Sequence, residues 1–284
     1  MCSAPLTDII FEESWQEAIE RILKSNTTII IGGIDCGKST FARYLLKKLF
    51  DLRGDLILID ADIGQSSISL PGTIGLKKIA TSYERDNFAD EIFFVGYTTP
   101  SVSVGYFLEV FSAAVERAKS YNLPLIVDTD GFISDEGVNL KLRKIEILNP
   151  NLVIAFQKER ELETIIRHIN TETIILKPSS HVRVRDQNSR AEYRLKRFQF
   201  YFKNSESYMM PVKLIKDSEH LKNVVYNLDK FRGTLIGLMD EKQCIGLGLI
   251  EDIDSKTILI RTPISGIYRV KKILIGKIKL SELT

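Results

Sequence analysis

The chain has 284 residues, 44% of them hydrophobic and 27% charged, with 39 basic against 37 acidic side chains and a net charge of +2. These values exclude a polycation, a collagen-like chain and a disordered one, and allow one large folded unit or a large and a small one. The three cysteines, Cys2, Cys36 and Cys244, fit neither a disulfide framework nor paired zinc-ligand spacing, which points to a reducing compartment.

In chain order, Trp15, Ala18, Ile19 and Ile22 recur at helical spacing and predict a helix over 12–24; the β-branched run 27–31 before Gly32 predicts a buried strand. The alternation continues with a helix over 39–49, strands over 56–60 and 92–96, a helix over 102–119 and a strand over 123–129. Helices over 138–148 and 159–169 then alternate with strands over 151–156 and 173–177. Continuous apolar strands between helices are what a mostly parallel, doubly wound α/β sheet requires, because both of its faces are covered. Residues 181–197 follow with five Arg, one Lys and one His against two acids, and beyond about 207 short strands separated by turn residues predict a small all-β unit. The expected division is therefore 1–206, including a basic segment at about 181–200, and 207–284. No run approaches the ~20 apolar residues needed to cross a bilayer, and no basic-then-apolar leader opens the chain. We expect a soluble, cytoplasmic protein without a membrane partner.

Gly32, Gly33, Ile34, Asp35, Cys36, Gly37, Lys38 and Ser39, followed by Thr40, form a complete GxxxxGK[ST] sequence between a strand and a helix. Its backbone N–H groups can cradle a β-phosphate, with Lys38 bridging the β- and γ-phosphates and the Ser39 hydroxyl on Mg²⁺. This places the sheet in the P-loop NTPase class. The next strand ends in Asp60-Ala61-Asp62, putting two carboxylates at the sheet edge where ligands of open α/β folds bind. Asp60 can serve the metal and Asp62 can accept a proton from an attacking hydroxyl, unless Asp62 simply caps its loop. A guanine-specific NKxD sequence is absent after the strand at 151–156, as is the extra lysine of MinD-like ATPases. If 188–200 is helical, Arg190, Arg194 and Arg197 share one face, suited either to a lid over transferring phosphate or to a solvated surface. Cys36 fills a permissive loop position, with oxidation as the alternative, and His168, His181 and His220 are scattered and receive no role. Lys141, Arg143 and Lys144 suit either a strand path or a solvated helix face.

GGIDCGKST (32–40), DADIGQS (60–66) with Pro71-Gly72 after it, GYTTPS (96–101), DTDGFI (128–133) and RDQNSRAEYRLKR (185–197) occur in the order of one family. The chain resembles the Clp/Grc-type polynucleotide 5′-hydroxyl kinases, which include the pre-mRNA cleavage-complex kinase subunit, rRNA-processing kinases and archaeal relatives. The resemblance implies Mg²⁺-dependent transfer of the γ-phosphate of ATP or GTP to the 5′-hydroxyl of RNA or DNA, with RNA-processing proteins as possible partners. It matches Lys38, Ser39 and Thr40 to the phosphate and metal site, Asp60 and Asp62 to the Walker B acids, and Arg190 and Arg194 to the lid. Gln65 matches a polar residue beside the acceptor, and Thr99 and Pro100 the loop that grips nucleic acid. Phe132 stands where many relatives have Trp, keeping an aromatic face for base stacking. The P-loop begins at residue 32, where better-known relatives first carry a whole β domain. A nucleotide-binding scaffold and a hydrolytic P-loop switch are the competing readings.

Overall fold

The computed structural model describes residues 12–79, 88–179, 182, 185–215, 231–280 and 283; Cys2, His181, Arg183 and His220 lie outside them. The elements are α1 (Trp15–Lys24), β1 (Thr27–Gly32), α2 (Lys38–Arg53), β2 (Leu56–Ala61), β3 (Thr73–Ile79), β4 (Glu91–Phe94), α3 (Val104–Lys119), β5 (Leu125–Thr129) and α4 (Asp135–Leu148). They continue with β6 (Leu152–Phe156), α5 (Glu163–Arg167), β7 (Glu172–Leu176), α6 (Gln187–Tyr201), β8 (Glu206–Pro211), β9 (Thr234–Met239), β10 (Cys244–Ile253), β11 (Thr257–Thr262) and β12 (Lys272–Lys279). No helix among the described residues is long and apolar enough to cross a membrane.

Strands β2, β5, β1, β6 and β7 lie side by side in that order and pair in parallel. Their side chains alternate between two apolar layers, as strand geometry demands. Ile29, Ile31, Ile57 and Ile59 join Phe107 and Phe111 of α3 and Leu140 of α4. Ile30, Leu56, Leu58 and Ile126 join Ala18 and Ile19 of α1 and Phe41 and Leu45 of α2. The parallel core thus carries helices on both faces, and it carries the P-loop at the carboxyl end of β1.

The sheet departs from the sequence expectation beyond β2. The segment 73–79, not expected as a strand, forms β3 antiparallel to β2, and β4 pairs antiparallel to β3 instead of joining the parallel run. The chain between β2 and β3 holds no helix, and a parallel return needs a crossover of a dozen or more residues. The helix expected over 159–169 contracts to α5, and β8 was also not foreseen. The C-terminal strands continue the same sheet in the order β4, β10, β9, β12, joined to β4 through Cys244 and Ile92, while β11 and β8 extend from β10. The boundary at 206/207 falls at the start of β8, and the sheet runs on across it.

Helix α6 is fixed between these parts. Asp186 caps its start by accepting from the Ser189 amide at 2.7 Å. Near its end, Phe198 and Phe202 are buried with Phe94 of β4 and Leu235, Leu247 and Leu249 of the C-terminal strands. Full burial of such aromatic side chains is worth about 1.5–3 kcal/mol each, so this end is an anchor that leaves the first turns over the P-loop.

Candidate active site

The loop after β1 turns sharply enough that Gly37 takes φ +93°, a backbone conformation that L side chains rarely adopt. Lys38 is buried and its Nζ donates to the Gly33 carbonyl at 2.5 Å, curling the loop around the amine. Cys36 is buried beside it, with Sγ 3.5 Å from Lys38 Nζ. Burial raises the Cys36 thiol despite the lysine, so the group stays protonated and suits packing better than oxidation. Ser39 is half-buried at the start of α2, and Thr40 is exposed.

Three carboxylates gather at the neighbouring strand ends. Asp60 and Asp128 are direct partners across β2 and β5, and Ile30 of β1 flanks Asp128 on its other side. Asp60 is buried and accepts from the Asp62 amide (3.1 Å), Ser66 Oγ (3.1 Å), Ser67 N (2.7 Å) and Ser67 Oγ (2.8 Å). Both of its oxygens are thus committed to the 62–67 loop. Burial and then the Asp62 charge raise its pKa, and the bonds from Ser67 pull it back. Asp62 is half-buried, and its Oδ1 accepts from the amides of Gly64 (3.0 Å) and Gln65 (2.9 Å). Asp62 therefore does cap its loop, but with one oxygen.

Asp128 is the residue that sequence reasoning missed. It is buried and neither carboxylate oxygen has a well-formed hydrogen bond, while Lys38 and the Ser39 hydroxyl lie close enough to favour its ionised form. Burial and then the charge of Asp60 nevertheless push its pKa up to about 7. An unpaired buried carboxylate is costly, and its position beside Ser39 calls for a cation. Ser39 and Asp128, with Asp60 behind them, have the hard oxygen chemistry of a Mg²⁺ site. Such a site takes one or two protein carboxylates, with phosphates and water completing the shell. The Asp60 oxygens, expected to serve the metal, are hydrogen-bonded by their own loop, whereas those of Asp128 are not.

The basic helix lies across this site. Arg190 Nη2 pairs with Asp35 Oδ2 in the P-loop at 2.5 Å, and the same oxygen accepts from the Arg185 amide at 2.9 Å. Gln65 Nε2 donates to the Arg190 carbonyl at 3.3 Å, Tyr193 Oη to the Ser66 carbonyl at 2.8 Å, and Arg197 Nη2 to the Ser69 carbonyl at 2.6 Å. The three arginines of one face therefore diverge: Arg190 holds the P-loop, Arg197 holds the 66–69 segment, and Arg194 has no hydrogen bond or ion pair among the described residues. Arg194 instead lines a cavity of about 310 Å³ together with Thr99 and residues of β12. Thr99 is exposed there, whereas Pro100 is buried and opens a single 3-10 turn, so it steers the loop and offers no surface to a strand.

Phe132 stands apart from that cavity, half-buried against the core of the central sheet. The loop holding it is built on Asp130, whose carboxylate is buried between Lys141 and Lys144 of α4. Lys141 Nζ donates to Asp130 Oδ1 (2.6 Å) and to the Asp130 carbonyl (2.7 Å), and Lys144 Nζ bonds Oδ2 while lying 4.5 Å from the Phe107 ring centre. Burial opposes ionisation of Asp130, but Lys141 and then Lys144 hold its carboxyl well below the usual range; burial pushes Lys141 down to about 7. These two lysines therefore form neither a strand path nor a solvated face, whereas Arg143 is exposed and pairs with Glu146 at 2.7 Å. Asp130→Asn leaves two buried ammonium groups without a counter-ion and is expected to cost about 3–5 kcal/mol. A urea titration reads this as a lower midpoint at unchanged slope; an unchanged midpoint would rule out a structural role for the cluster.

Residues 32–204 match the family described as mRNA cleavage and polyadenylation factor CLP1 P-loop. The chain is 29% identical to the polyribonucleotide 5′-hydroxyl-kinase of Methanocaldococcus jannaschii, across 89% of this chain and 87% of that one. It is 28% identical to the enzyme of the same name from Pyrococcus horikoshii, across 94% and 89% of the two chains. Among solved structures, the Clp1p–Pcf11p complex superimposes with a TM-score of 0.72 over 93% of this chain and 77% of that chain, at 14% identity, a likeness of fold.

Proposed function

The chain belongs to the CLP1 P-loop family, and from that premise we propose that it is a polynucleotide 5′-hydroxyl kinase, moving the γ-phosphate of ATP or GTP to the 5′-hydroxyl of RNA or DNA. The observation that carries this reading is the lid. One arginine of α6 clamps the P-loop through Asp35, while the next, Arg194, stays free and faces a cavity beside Thr99. A basic helix that clamps the P-loop with one arginine and lines a cationic cavity with the next suits transfer to a large acceptor better than hydrolysis, because a lid that closes over the nucleotide keeps water from it.

In this mechanism the P-loop amides hold the β-phosphate and Lys38 supplies positive charge to the β- and γ-phosphates. Ser39 and Asp128 would hold Mg²⁺, which when bound would supply positive charge to the phosphate oxygens. Asp62 accepts the proton of the 5′-hydroxyl through its second oxygen. The hydroxyl oxygen bonds to the γ-phosphorus as the bond to the β–γ bridging oxygen breaks, releasing the nucleoside diphosphate. Arg190 and Arg194 stabilise the transferring phosphoryl group. Asp60 holds the 62–67 loop that presents Asp62 and Gln65. Phe132 offers its ring to a base and Thr99 its hydroxyl to the acceptor backbone. RNA-processing proteins are the partners this activity suits.

The test incubates the protein with Mg²⁺ and γ-labelled ATP or GTP, using 5′-hydroxyl and 5′-phosphorylated RNA and DNA oligonucleotides. Label on the 5′-hydroxyl oligonucleotides alone, lost in Lys38→Ala, is the expected result. Nucleotide binding without transfer would make the protein a scaffold, and acceptor-independent release of phosphate would make it a hydrolase.

A further inference from the structure

The cavity beside Arg194 has a wall that the kinase reading does not use. Lys277 and Lys279 of β12 both line it, and with Arg194 they place three cations around about 310 Å³ with no carboxylate in the lining. Both lysines are exposed and make no ion pair among the described residues. They stand two residues apart on one strand, where β12 departs from regular pairing with β9 between Ile275 and Lys279. Such a pair suits a run of phosphates better than a single anion. Thr99 adds a hydroxyl to the lining, and Val102 and Leu195 add apolar surface for ribose or base.

The placement is rigid. The Lys277 amide donates to the Gly96 carbonyl at 2.7 Å. The backbones of 96 and 276 meet so closely that a Cβ on Gly96 would lie 2.8 Å from Gly276 Cα, and one on Gly276 would lie 2.8 Å from the Gly96 carbonyl oxygen. Side chains at either position would push β12 off the 96–99 loop. The lysines are therefore held in fixed register with Thr99 on one side and with the lid on the other.

We propose that this cavity binds the backbone phosphates of the acceptor strand downstream of its 5′ nucleotide, with Lys277 and Lys279 as ligands. The proposal rests on the reading of the chain as a polynucleotide kinase and gives the C-terminal strands a part in it: they measure the acceptor's length. A strand of several nucleotides carries enough phosphates to engage both lysines, whereas a 5′-hydroxyl dinucleotide carries a single internucleotide phosphate.

The experiment compares wild type with Lys277→Ala/Lys279→Ala, using a 3′-labelled 5′-hydroxyl RNA of ten nucleotides and a dinucleotide, across a salt series. For the longer RNA the slope of log affinity against log salt is expected to shrink by about 1.4, two contacts at about 0.7 each for a single strand. Affinity at low salt should fall about tenfold, the dinucleotide should be affected much less, and Lys277→Arg/Lys279→Arg should restore the slope. Because both side chains are exposed, the melting temperature checks that the fold is intact. An unchanged slope with phosphate transfer intact would overturn the cavity assignment and leave the kinase standing. A reduced slope in a protein that transfers no phosphate would keep the cavity and overturn the kinase.

Discussion

Asp62→Asn is expected to lower phosphate transfer by about 10²–10⁴-fold, the usual contribution of a positioned base, while nucleotide affinity stays near that of wild type. The geometry makes this substitution unusually clean. Asp62 Oδ1 accepts from the amides of Gly64 and Gln65, and an asparagine Oδ1 can accept both. The 62–65 turn therefore keeps its caps, and what changes is the second oxygen, which loses its capacity to take a proton. Asp62→Ala provides the contrast, because it removes base and caps together and should also lower stability by about 1 kcal/mol per hydrogen bond. Single-turnover transfer with a saturating 5′-hydroxyl oligonucleotide, paired with a nucleotide titration, separates the two effects. If Asp62→Asn transfers within a few-fold of wild type and Asp62→Ala only loses stability, Asp62 is a loop cap and the base lies elsewhere.

The parts of this site that were legible in the sequence are those written as contiguous residues. The P-loop is one run of eight residues, the acid pair sits at the end of an apolar strand, and the Arg residues of α6 repeat at helical spacing. What escaped was decided by strand order and by burial. Asp128 matters because β5 inserts between β1 and β2, bringing its carboxylate against Asp60 and Ser39. Nothing local to residues 125–129 reveals which strands flank them. In sequence, Lys141 and Lys144 suit a strand path or a solvated helix face, because lysine is almost never fully buried unless paired. Their partner, Asp130, lies eleven and fourteen residues away on the preceding loop. Strand β3 was missed because Gly75, Lys77 and Lys78 interrupt its apolar pattern. The residues nevertheless hold it: Lys77 turns its amine to the Phe88 carbonyl at 2.7 Å, and the Lys78 amide bonds Asp90 at 2.7 Å. The lid's helix was legible and its division of labour was not, since the spacing of Arg190, Arg194 and Arg197 says nothing of Asp35, the cavity or the Ser69 carbonyl.

Asp128→Asn is expected to move activity and metal-free stability in opposite directions. Transfer should fall by about a hundredfold or more, because a metal held on phosphate is worth several kcal/mol of charge stabilisation and this substitution removes its one uncommitted carboxylate. Stability without metal should not fall, for a reason of sign. Burial and the charge of Asp60 raise the Asp128 pKa from 3.8 to about 7, so between those values the folded protein binds the proton more tightly than the unfolded chain does. Stability therefore declines as pH rises through that interval and levels off above about 7, where the carboxylate is ionised in both states. Asparagine carries no such charge, so the variant should melt at or above the wild-type temperature at pH 8 and show a smaller decline between pH 5 and 8. Added Mg²⁺ and nucleotide should reverse the order, since a ligand that binds the native state stabilises it in proportion to its affinity, and wild type binds the pair more tightly. Thermal melts at two pH values, each with and without Mg²⁺ and nucleotide, test the argument. A variant that melts below wild type at pH 8 without metal would make Asp128 a structural residue. Equal stabilisation of both proteins by Mg²⁺ and nucleotide would move the metal to Asp60 or Asp62.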